Sequence, residues 1–104
     1  MSYHESSEWN DLNELRCLEI FLKLKEAGFR RGKQIELCRK MSLSSNLDVG
    51  NISAKVCNYK SVAGVNNPSK ASESTILFYK RFGHLSSTEV GVLVKKAMAG
   101  QNIV

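Results

Sequence analysis

The sequence predicts an all-α fold: a compact bundle of four to five short helices with helix-turn-helix-like packing. Three observations predict it. Every periodic segment places apolar residues at helical spacing. None alternates as a strand would, and "ILF" at 76–78 is too short for a strand and falls within a helical period. Glycines punctuate the ends of these segments, at Gly28, Gly64, Gly83 and Gly100, where a helix is expected to stop.

The first helix is expected over Asp11–Ala27. Asp11 and Glu14 have the offset of a capping box, with aspartate as the cap. Leu15, Cys17, Leu18, Phe21, Leu22 and Leu24 give a broad apolar face, and Trp9 is expected to fold back onto the core. The second helix covers residues 32–42, with Ile35, Cys38 and Met41 inside and Leu37 widening that face. Arg30, Arg31, Lys33, Arg39 and Lys40 stay outside. "SLSSNLDVG" at 42–50 reads as a loop, anchored by Leu43 and Leu47.

The third helix opens at Asn51, read as its N-cap, and stops at Gly64. Ile52, Val56, Tyr59 and Ala63 form its apolar stripe. Pro68 interrupts the chain in "VNNPSKAS", since the residue before proline is pushed out of helical backbone. The fourth helix, Ala71–Phe82, gathers Thr75, Phe78, Tyr79 and Phe82 on one side. The fifth has the strongest start signal: Ser86 and Glu89 form a capping box, and Leu85 and Val90 occupy the staple positions. Val90, Leu93, Val94, Ala97 and Met98 form its inner face. The domain is thus expected over 9–100, with a flexible tail at 1–8 and a frayed one at 101–104.

The 104 residues fit one domain, and no run reaches the roughly 18 apolar residues that a membrane span needs. The polar start "MSYHESSEWNDL" is not that of a signal peptide, so a cytoplasmic location is expected. Cys17, Cys38 and Cys57 are an odd number at long spacings, which argues against a zinc site and a disulfide framework. Charge is uneven. Residues 1–29 hold six acids and three bases, a net −3; residues 30–104 hold twelve bases and four acids, a net +8. That asymmetry points to a polyanion partner.

No catalytic constellation is legible. His4 lies in the tail and His84 in a turn; no metal-ligand spacing, phosphate loop or nucleophile elbow occurs. No enzyme, metal, cofactor or small-molecule substrate is expected. A binding module is. Its reading element is the third helix, because Ala54, Cys57, Asn58 and Ser61 make a lean outer face bordered by Lys55 and Lys60. A helix in the major groove needs close backbone approach, a few base contacts and cations toward the phosphates. Asn58 suits an adenine edge. Ser61 is short enough for close approach, and Ser53, Lys60, Lys70, Arg30, Arg31 and Lys33 are the candidate phosphate contacts beside Lys55.

Trp9 and Asp11, the "ELRCLEIFLKL" helix, Lys55 and Asn58 three apart, Ser69 with Lys70, and Phe78 with Phe82 follow one another in an order that resembles a known domain. It is the N-terminal helical domain of bacterial HNH restriction endonucleases, including modification-dependent ones. The likeness spans roughly residues 9–83. It implies a domain that holds or selects double-stranded DNA in restriction or defence, while a separate HNH domain cuts. No HNH motif occurs within these 104 residues, so a piece of a longer nuclease and a stand-alone relative both stay open. The alternative expectation is a protein-interaction module, such as a phage-encoded inhibitor that binds a nuclease or an RNA-guided defence complex.

Overall fold

A computed structural model describes residues 10–66 and 71–100. It contains α1 (Asp11–Glu26), α2 (Lys33–Ser42), α3 (Val49–Val62), α4 (Glu73–Phe82) and α5 (Ser87–Met98), with no strand among the described residues. The all-α bundle is as the periodicity predicts. Trp9, both tails and Lys70 lie outside the described residues.

α1 is the spine. Leu15, Cys17, Leu18 and Phe21 are wholly buried, and α2, α3, α4 and α5 all pack on it. Its cap is Asn10, whose Oδ1 accepts the Asn13 N–H at 2.8 Å, rather than Asp11. The helix ends in a Schellman turn: Phe29 N–H donates to the Leu24 carbonyl and Gly28 N–H to that of Lys25. Gly28 takes φ +72 there, which glycine adopts without strain. Phe29 follows at φ 57, its ring 6.0 Å from that of Phe21.

α2 is turned relative to the sequence expectation. Leu37, Cys38 and Met41 are buried, while Ile35 is 40% exposed. Gln34, Leu37, Cys38 and Met41 follow the i, i+3, i+4, i+7 spacing of one face, which leaves Ile35 outside it. Leu47 anchors the following loop at 3% exposure; Leu43, at 88%, does not. α3 starts earlier than expected. Asp48 is its cap, accepting the Asn51 N–H at 2.7 Å.

α4 buries Thr75, Phe78 and Phe82 and half-buries Tyr79, on the side the spacing predicts. Gly83 closes it with ordinary helical backbone. What demands glycine there is space: a Cβ would sit 2.5 Å from the Tyr79 carbonyl oxygen. α5 has both arms of the predicted capping box, Glu89 N–H to Ser86 Oγ at 3.1 Å and Ser86 N–H to Glu89 Oε1 at 3.0 Å. Val90 and Val94 enter the core, whereas Met98 stands 61% exposed rather than inside. Glu26, at the end of α1, adds a further tie. Its carboxylate accepts the Ser87 N–H at 2.8 Å and the Ser87 hydroxyl at 2.7 Å.

Candidate nucleic-acid interface

α3 is packed from three sides, by α1, α2 and α4. The face that reads as lean and open in the sequence is therefore partly covered: Ala54 is exposed, while Cys57, Asn58 and Ser61 are half-buried. The correction is sharpest at Lys55, expected to reach outward toward phosphate. It is 8% exposed, and its Nζ donates to Glu14 Oε1 at 3.1 Å and to Thr75 Oγ1 at 3.0 Å. Glu14 itself has no exposed surface. Its other oxygen accepts the Tyr59 hydroxyl at 2.6 Å, with Thr75 Oγ1 3.3 Å away. Ser72 Oγ, the cap of α4, lies 3.0 Å from Thr75 Oγ1.

The cluster joins α1, α3 and α4 through charge-assisted hydrogen bonds, and every buried side-chain polar atom described has a partner. An isolated buried ion costs several kcal/mol, so the carboxylate and the ammonium hold each other in place. Lys55 is a core residue by chemistry as well as by position.

Lys60 is taken up on the opposite side of α3. Its Nζ donates to Gln34 Oε1 at 2.6 Å and lies 5.6 Å from the centre of the Phe29 ring. Gln34 Nε2 in turn donates to Ser53 Oγ at 2.9 Å, so Ser53 faces α2 rather than a ligand. Ser61 bonds back to the Cys57 carbonyl at 3.1 Å and to Asn66 Oδ1 at 2.8 Å. Asn58 is half-buried and has a partner of its own. Of the expected outer face, only Ala54 and the first turn are exposed. The two lysines that border α3 in the sequence point into two different helix–helix seams.

The remaining site residues fare differently. Arg30 and Arg31 are exposed, and Lys33 is half-buried with Glu36 3.5 Å away. These residues and Gly32 line a shallow depression of about 260 Å³. Gly32 begins α2 at φ 84 with no side-chain cap, so the positive end of the helix dipole faces the same depression. Arg39 and Lys40, not among the expected contacts, are exposed further along α2. The structure thus separates the predicted residues into a basic α2 surface that is open and an α3 set that is largely occupied.

Two signals in the sequence bear on the missed cluster. Lys55 lies three residues after Ile52 and four before Tyr59, inside the apolar stripe rather than beside it. Glu14 stands four before Leu18 on the apolar face of α1. Opposite charges on two buried stripes are the pattern of an internal ion pair. Burial, then the neighbouring Cys57, pushes the Cys38 thiol above its ordinary pKa. Burial, reinforced by Glu14, does the same to Cys17.

The chain matches no protein-family model, no curated protein and no solved structure. What the fold can do is therefore read from its surface. Among the described residues no cluster of His, Cys, Asp and Glu could hold a metal ion, and no helix is long and apolar enough to cross a membrane.

Proposed function

We propose that this chain is a non-catalytic nucleic-acid-binding domain that holds duplex DNA by its phosphate backbone, through the open face of α2 instead of α3. One observation carries the reading. Arg30, Arg31, Lys33, Arg39 and Lys40 stand against a single acid, Glu36, along one segment that no other helix covers on its outer side. Cations at the start of a helix with no side-chain cap suit phosphate, which gains both the charges and the positive end of the helix dipole.

With Lys55 buried, Lys60 half-buried on Gln34, and Ser53, Asn58 and Ser61 engaged within the fold, α3 offers little for base readout. The domain then positions DNA more than it specifies sequence. The resemblance to the helical domain of HNH endonucleases supports a restriction or defence setting.

The test is a fluorescence-anisotropy titration with duplex DNA at two salt concentrations. Each phosphate neutralised contributes about 0.9 to the log–log salt slope, so five contacts give a slope of roughly −4 to −5. Arg30→Ala with Arg31→Ala and Lys33→Ala should flatten it by about 2–3. Lys60→Gln should leave it unchanged. Salt-independent binding, no binding at low salt, or an equal loss in Lys60→Gln would overturn the proposal.

A further inference from the structure

The seam between α1 and α5 leaves an open groove of about 480 Å³ on the outer side of the bundle. Apolar side chains line it beside Ser87 and Thr88: Val92 is 49% exposed and Met98 61% exposed, about 1.7 turns apart on α5. Gly91 contributes no side chain there. A Cβ at that position would lie 3.0 Å from Glu19 Oε2, the movable end of a flexible side chain. The rim carries Lys23, Lys95 and Arg16, whose guanidinium also donates to the Ser44 carbonyl at 3.1 Å. The one facing carboxylate, Glu19, is paired with Lys23 at 3.5 Å, so the rim stays net positive.

We propose that this groove docks an acidic amphipathic helix of a partner protein, with apolar anchors on Val92 and Met98 and carboxylates against Arg16, Lys23 and Lys95. Charge complementarity selects the occupant. The rim excludes a basic helix. The exposed apolar pair, Val92 and Met98, favours a helix with apolar anchors over a phosphate backbone, which has none. α5 has 12 residues, about 18 Å of length, which matches a three-turn helix with anchors at i, i+4 and i+7. The inference is independent of the nucleic-acid reading, which uses the α2 surface.

The experiment uses the full chain and a fluorescent peptide of about four turns, with leucines at i, i+4, i+7 and i+11 and glutamates between them. Saturable binding is expected in anisotropy. Val92→Asp combined with Met98→Asp should weaken it at least about tenfold. Lys95→Glu should also weaken it, and a peptide carrying lysine for glutamate should not bind. Both apolar positions are solvent-facing, so circular dichroism should show unchanged helicity. The Arg30→Ala, Arg31→Ala, Lys33→Ala variant should bind the peptide as the parent does, which separates this site from the α2 surface. No binding, equal affinity for the lysine peptide, or unchanged affinity in Val92→Asp, Met98→Asp would overturn the proposal. So would displacement of the peptide by duplex DNA, which would assign the groove to nucleic acid.

Discussion

Lys55 of α3 meets Glu14 of α1 at 3.1 Å, inside the bundle, with Tyr59 and Thr75 completing the hydrogen bonds of the pair. Forty-one residues separate the two in sequence. The contact ties α3 to α1 by charge as well as by apolar packing.

Breaking that pair from one side should be severe. Lys55→Met leaves the Glu14 carboxylate buried without its cation, and Glu14→Gln leaves an uncompensated ammonium. Each should cost about 3–5 kcal/mol in urea unfolding. The double variant Glu14→Gln, Lys55→Met should cost clearly less than the sum, because neither charge is then stranded. Additive losses would show that the two residues act separately.

Gly83→Ala should destabilise by about 1–3 kcal/mol, through the close approach of its new Cβ to the Tyr79 carbonyl oxygen. Backbone preference plays no part, since Gly83 already has φ −67. Gly91→Ala is the control: its Cβ would meet the end of a flexible glutamate, which can shift. Thermal melting that ranks the two the other way would remove the steric explanation.

The Ser87 N–H and hydroxyl hold the Glu26 carboxyl below its ordinary pKa. A carboxyl with a depressed folded-state pKa stabilises fully above its unfolded value, near 4.5. That contribution fades as the pH falls and is lost once it passes through the folded pKa. Glu26→Gln should therefore reduce melting temperature at neutral pH and narrow the gap between melts at neutral and strongly acid pH. An unchanged gap would show that the tie between α1 and α5 carries no acid sensitivity.

The three thiols should separate by burial. Cys17 and Cys38 are wholly buried with raised pKa values, whereas Cys57 is only half-buried. A thiol reagent at neutral pH should modify Cys57 first in the native protein and all three in denaturant. Native-state modification of Cys38 ahead of Cys57 would contradict the packing of α2 on α3.

The sequence alone determined the helices. Apolar spacing, the Ser86–Glu89 box and the glycines after α1 and α3 are local signals, acting over one or two turns. The inner residues of α4 follow from spacing for the same reason. Which side of a helix counts as outside is another matter, because it depends on how many neighbours the helix has. α3 looks half-buried on a wheel, yet three helices pack on it, so Lys55 becomes a buried partner of Glu14 and the half-buried Lys60 a partner of Gln34. Ile35 moves out, while Leu37, Cys38 and Met41 stay in, because α2 sets Gln34 and Cys38 toward α3. Only the tertiary arrangement could decide this: the free energy of a lysine depends on what lies at the end of its side chain, and here that is a residue from a distant part of the chain.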